Sequence, residues 1–227
     1  MKLLRLSAAL CLTLALSACT LRADSPAFAG TDLAKPHMTL QVSYSTDTKY
    51  APSFVIWVVN PNTGENTTLY VTRKAGEWAW GETNPRPEAL PVWNGLVAHE
   101  RDSLSLDAIT SPTPKNGATL VLPLPESITD DYFAICIEAN TSYDYNRYYA
   151  QTNDGDHSID TGVNGQPSMI YRVRINRATG EVSEPELVGS GDPTGATDEL
   201  TPPLSAVSSA KNIITGVTVA CSNGDAQ

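Results

Sequence analysis

Histidine, cationic side chains and long apolar runs are all scarce in this chain. The three histidines, His37, His99 and His157, lie far apart in 227 residues. None sits in an H-E-x-x-H stretch, and no G-x-S-x-G elbow is present, so zinc hydrolysis and a nucleophilic triad have no support and a non-catalytic protein is expected. Lys and Arg number 15 against 25 Asp and Glu, for a formal charge of −10. An acidic chain of this kind repels phosphate backbones, which argues against nucleic-acid partners. The longest apolar run, residues 6 to 18, is too short to span a bilayer. No repeat of fixed period is present, which excludes solenoids and propellers.

What is there begins with an address. Lys2 and Arg5 precede the apolar run, and the stretch ends in Leu16-Ser17-Ala18-Cys19. That pattern is a secretory leader rather than a membrane helix, and its end is similar to the lipobox of bacterial lipoproteins. Cys19 is then expected to carry the lipid, since acyl chains at about 0.8 kcal/mol per buried methylene hold a protein on a membrane without a spanning segment. Thr20, where Asp would retain the protein at the inner membrane, points to an outer-membrane lipoprotein facing the periplasm. Loss of residues 1 to 18 removes two cations and takes the formal charge to about −12. Three segments are expected: a leader over 1–18, the lipidated Cys19 with a tether over 19–36, and a domain over 37–223.

Beta signals dominate that domain. HMTLQVSYST, SFVIWVV, NTTLYVT, ATLVLPL, YFAICIEA, SMIYRVRI and IITGVTVAC are short runs rich in β-branched and aromatic residues, separated by Gly, Pro and Asn. They predict an all-β fold, an antiparallel immunoglobulin-like β-sandwich with long loop insertions. One short helix is expected around Trp93, Leu96 and Val97. Cys136 and Cys221 would face an oxidising compartment, where a Cys136–Cys221 disulfide is one outcome. Alternation works against it, placing Cys221 with Val217 and Val219 but Cys136 opposite Phe133, Ile135 and Ile137.

Two stretches offer binding chemistry. If the strand from Tyr132 stays extended, Asn140, Asp144 and Asn146 share one face, at about 6.8 Å between neighbours. With Asp154 or Asp156 from NDGDHSID they offer oxygens to a hard cation such as calcium, which takes six to eight at about 2.3–2.6 Å. The same residues also read as a solvated strand face leading into an acidic loop. Tyr143 and Tyr145, with Tyr148 and Tyr149, offer a binding rim. Trp78 and Trp80 would share a face in extended chain, either as a shelf for a flat ligand or as packing for a long loop.

RPEALPVW at 86–93, DAITSPTPKNG at 107–117, EANTSYDYN at 138–146 and GQPSMIYR at 165–172 occur in that order. Together they resemble the exported bacterial family called domain of unknown function 2271, sometimes labelled FlgD-like for an immunoglobulin-like fold. The resemblance implies company rather than a reaction: PepSY-type membrane reductases and flavin transferases, in systems handling iron or extracytoplasmic electrons. A flavin transferase would need Asp, two free residues, Ser or Thr, Gly, Ala and then the acceptor Thr. Thr113 has Asp107 and Thr110 at the right spacing, but Ser111 and Pro112 replace Gly and Ala. Thr197 follows Thr194-Gly195-Ala196, but Asp192 is one place too close. Gly permits backbone that Pro forbids, so no covalent FMN is expected on either threonine. The chain thus reads as a lipid-anchored envelope protein serving as a non-catalytic binding or accessory module. A flavinylated electron carrier and a calcium-stabilised structural module are the alternatives.

Overall fold

The computed structural model describes residues 27–28, 31–45, 47–79, 86–98, 109–111, 117–152, 159–202 and 205–224. Its strands are β1 (Ala27–Phe28), β2 (His37–Tyr44), β3 (Ser53–Val59), β4 (Asn66–Thr72), β5 (Ile109–Ser111), β6 (Ala118–Pro123) and β7 (Tyr132–Asn140). They continue with β8 (Tyr149–Ala150), β9 (Ile159–Asp160), β10 (Met169–Asn176), β11 (Glu181–Val182), β12 (Glu186–Ser190) and β13 (Ile214–Ser222). Two α-helices, α1 (Arg73–Ala79) and α2 (Pro91–Val97), lie between β4 and β5. The fold is all-β, as the strand signals predict.

One main sheet runs β1-β6-β2-β13 and the other β11-β10-β7-β3-β4-β5, with β12 also paired to β10, while β8 and β9 form a separate two-stranded parallel pair. The long neighbours are antiparallel, while the short β1 and β5 join their sheets in parallel. Alternation along β2 turns Met38, Leu40 and Val42 inward, and β10 does the same with Met169, Tyr171, Val173 and Ile175. They meet Phe54, Ile56, Val58, Ile135 and Ile137 from the larger sheet in the main core. Burial of this kind, at roughly 25 cal/mol per Å² of apolar surface, is what holds two sheets face to face.

β3 departs from alternation because its outer face is covered too. Val55 and Trp57 there pack with Val71, Cys136 and Ile170 against Leu90, Trp93 and Val97 of the α2 segment. A strand buried on both faces reads as a continuous apolar run, and SFVIWVV is one. The architecture is therefore a sandwich with a helical layer on the back of its larger sheet.

One expectation needs correction, and two open alternatives close. The single predicted helix is two, because residues 73–79 form α1 directly after β4. Trp78 lies in that helix and not in extended chain, which removes the period-two shelf; Trp80 lies outside the described residues. Cys136 and Cys221 are free thiols. Cys136 packs in the helical layer and Cys221 against the main core, so the sheet separates them as alternation indicates.

Candidate functional site

α2 begins with Pro91, which lacks an N–H, so its next two amides are the first that need acceptors. Leu90 before it offers no side-chain cap. The acceptor comes from β7: Trp93 N donates to Glu138 Oε2 at 2.8 Å and Val92 N to Oε1 at 3.3 Å. Ser168 Oγ donates to Oε1 at 2.7 Å. Glu138 is fully buried, and burial pushes its carboxyl up to about 7 against the lowering effect of these three hydrogen bonds. The stretch RPEALPVW is thereby fastened to EANTSYDYN and GQPSMIYR through one carboxylate.

Past Asn140 the chain leaves the sheet. Tyr143 takes φ +63°, and its N–H donates to Val163 O at 2.9 Å. Asp144 then lies beside Gly165, where a Cβ would meet the Asp144 backbone N at 2.6 Å; with φ +76°, only glycine fits. Gln166 holds the other side: its N–H donates to Asp144 O at 3.0 Å, and its Oε1 accepts Ser208 N at 2.6 Å. Ser209 Oγ receives Gln166 Nε2 and donates to Asp144 Oδ1, each at 2.6 Å.

The extended face on which a calcium site depends therefore does not form. Asn140 donates to Gln166 O at 3.0 Å, Asn146 donates to Ala206 O at 2.9 Å, and Asp144 receives Ser209. These side chains tie loops together through hydrogen bonds, and among the described residues no group of three His, Cys, Asp or Glu could hold a metal ion. Asp154 and Asp156 lie outside the described residues, as do Thr113, His99 and His157.

The turn after β7 forms one wall of a cavity of about 540 Å³ at the end of the larger sheet. Tyr50 and Ala51 line it before β3, Arg73 and Lys74 after β4, and Arg86 and Tyr143 complete the wall. Arg86 bridges the segments by donating to Ser142 Oγ at 3.4 Å and to Asn164 Oδ1, while its Nε lies 3.5 Å from Glu88. At the rim the Tyr50 and Tyr143 rings are 5.3 Å apart, and Lys49 Nζ lies 5.3 and 5.8 Å from their centroids. Tyr145 meets Tyr143 edge-on at 6.2 Å and donates to Gly162 O. Tyr143 and Tyr145 thus stand together at the surface, whereas Tyr149 is buried in the main core and takes no part in a rim.

The sequence reading missed Tyr50, Arg73, Lys74 and Arg86. The available signal was charge: Arg73-Lys74 is an adjacent pair in a chain with only 15 cations, placed where a strand run ends. Their convergence with Tyr143 depends on the fold and is not written in spacing.

The Thr-Gly-Ala-Thr stretch is a surface turn in which Thr194, Ala196 and Thr197 are exposed. Asp192 Oδ1 accepts Thr194 N at 2.8 Å and Oδ2 accepts Thr197 N at 3.2 Å, an arrangement in which a carboxylate ties its own loop. Gly195, at φ +70°, presses the turn onto Glu88, whose backbone N a Cβ would meet at 2.8 Å. Comparison with family models, with curated proteins and with solved structures finds no match for the chain.

Proposed function

We propose that the protein is a lipid-anchored, non-catalytic binding module of the bacterial cell envelope, with the cavity at the end of its larger sheet as the binding site. The immunoglobulin-like form of its sandwich, its place at the outer membrane facing the periplasm and its service to an iron or redox system, beside a PepSY-type membrane reductase, belong to the same proposal. The observation that carries the binding reading is the pocket's construction. Four separate stretches, before β3, after β4, at Arg86 and after β7, meet in one cavity, of a volume usual for small-molecule sites. Hydrogen bonds through Gln166, Asp144 and Arg86 fix the wall formed by the turn after β7. A wall fixed in advance lowers the ordering cost of binding.

Ala51 lines the cavity from a loop, so Ala51→Trp fills it without touching a strand. Native mass spectrometry of protein from envelope extract should show a retained small molecule that Ala51→Trp loses. Equal occupancy in both proteins, or none in either, would remove the cavity from the account.

The anchor rests on Leu16-Ser17-Ala18-Cys19. Cys19→Ala should leave an unprocessed precursor or a soluble product, measured by detergent partitioning. A variant that still partitions like the original would place the anchor elsewhere.

Intact mass after coexpression with a flavin transferase should show no added FMN. A mass gain of one FMN, lost on Thr113→Ala or Thr197→Ala, would make the protein an electron carrier instead.

A further inference from the structure

We infer that β13 is an interface strand, which pairs antiparallel with β13 of a second copy and joins the two smaller sheets edge to edge. The inference is independent of the cavity at the end of the larger sheet.

Backbone donors and acceptors on the outer side of an edge strand have no ladder partner, so folded proteins keep such strands short or guard them with charge or proline. The strands at the other edges are short: β1, β5, β11 and β12 run for 2, 3, 2 and 5 residues, whereas β13 runs for 9. Among the described strands β13 pairs only with β2. Its one irregularity lies at its start, between Ile214 and Gly216, which leaves a regular ladder from Val217 to Ser222. Residues 213–222 contain no proline and no charged side chain, in a chain whose formal charge is −10.

The core is also incomplete along this edge. β13 turns Val217, Val219 and Cys221 inward beside Val42, Leu40 and Met38 of β2. Those three β2 residues are buried, while Val219 and Cys221 stay half-exposed. A cleft of about 230 Å³ opens there, with Val219 and Cys221 on one side and Ile175 and Val182 of the larger sheet on the other. Arg177 also lines it, with its guanidinium tied to Asp131 and to the carbonyls of Ile128 and Thr129. A strand added to β13 carries its own inward side chains over this cleft, and that burial favours association.

The composition of the edge selects a second copy. Two identical strands paired antiparallel about a two-fold axis are self-complementary, each supplying the donors and acceptors that the other lacks. Most surfaces of an acidic chain repel a second copy, but Thr218 and Ala220 and their β2 neighbours Gln41 and Thr39 are all uncharged. Val217 and Val219 of the copy supply apolar side chains of the kind the cleft lacks. The opposite edge of the sheet is taken by β1 and by Thr31, whose hydroxyl donates to Val121 O at 2.9 Å. One open edge per copy closes the assembly at a dimer.

Sedimentation velocity of the mature chain without its lipid, over a range of concentrations, should show a reversible equilibrium between monomer and dimer. Thr218→Lys combined with Ala220→Lys, both exposed changes, sets like charges opposite each other across the two-fold axis and should raise the dimer Kd at least about tenfold. Gln41→Lys, exposed on the same face but one strand further in, should leave Kd nearly unchanged. Circular dichroism checks that the variants fold. Hydrogen exchange of the original chain needs no variant: alternate amides of β13 should be protected in the dimer and lose that protection on dilution. A monomer at every concentration, or a dimer that survives the paired lysines in a folded variant, overturns the inference. A dimer broken by Gln41→Lys alone places the contact on the sheet face and overturns it as well. Protection that persists in the monomer means that another part of the chain covers the edge, with the same consequence.

Discussion

Trp93→Ala is expected to cost about 4 kcal/mol of stability, the size seen when a fully buried Trp is truncated. Trp93 is wholly buried, packs within the cluster of Val55, Trp57, Val71 and Cys136, and its indole donates to Thr68 Oγ1 at 3.0 Å. The cost exceeds the lost contact area because α2 has only seven residues. A helix this short does not persist on its own propensity, so its one large anchor holds the whole layer. Urea unfolding monitored by fluorescence measures the change, and the thermal midpoint should fall by about 8–16 °C for a domain of this size. Leu96→Ala, on the exposed side of the same helix, should stay within about 0.5 kcal/mol. Equal effects at 93 and 96 would show that the helical layer is not packed as described.

The second large effect belongs to Glu138. Glu138→Ala leaves the Trp93 and Val92 amides and the Ser168 hydroxyl without their acceptor. Unpaired buried donors cost about 1–3 kcal/mol each and do not add fully, so a loss of about 3 kcal/mol is expected. Because Glu138 caps the same short helix that the Trp93 side chain anchors, the double variant should lose less than the sum of the two single losses.

Glu138 also makes stability depend on pH. Its carboxyl titrates near 7 in the folded protein against 4.5 for an ordinary glutamate, so the folded state binds this proton more tightly than the unfolded chain. The linked stability is fully present below about 4.5 and is lost as pH rises through about 7. At about 1.4 kcal/mol per pKa unit the span is about 3 kcal/mol. Glu138→Gln removes this contribution. The difference between original and variant, followed by urea unfolding from pH 4 to 8, should therefore narrow or reverse as pH rises, with surface carboxylates cancelling because both proteins share them. A difference independent of pH would mean that Glu138 stays ionised in its buried site.

The strands were legible because their physics is local. NTTLYVT and SFVIWVV match β4 and β3 residue for residue, and the alternation in SMIYRVRI names the inward side chains of β10. The free thiols follow from the same alternation. α1 was not legible, since RKAGEWA carries a glycine and no apolar stripe of helical period. It follows β4 directly and packs beside it, so tertiary context supplies what propensity does not. The extended face past Asn140 did not form for a related reason. Extending the period-two pattern beyond Asn140 assumed a straight strand, but Tyr143 takes a left-handed backbone and Gly165 brings a second chain against Asp144. The pocket was beyond reach because Tyr50, Lys74, Arg86 and Tyr143 lie on four stretches that only the sheet order brings together.

The account turns on whether the cavity at the end of the larger sheet is where a ligand binds. Amide chemical-shift mapping of the labelled chain during titration with the small-molecule fraction of an envelope extract, at constant ionic strength, asks this at residue resolution. The expected result is a saturating set of shifts confined to residues 50, 51, 53, 72–74, 86 and 142–143. Shifts that climb without saturation and scatter over the surface, or that leave these residues unmoved, would contradict it.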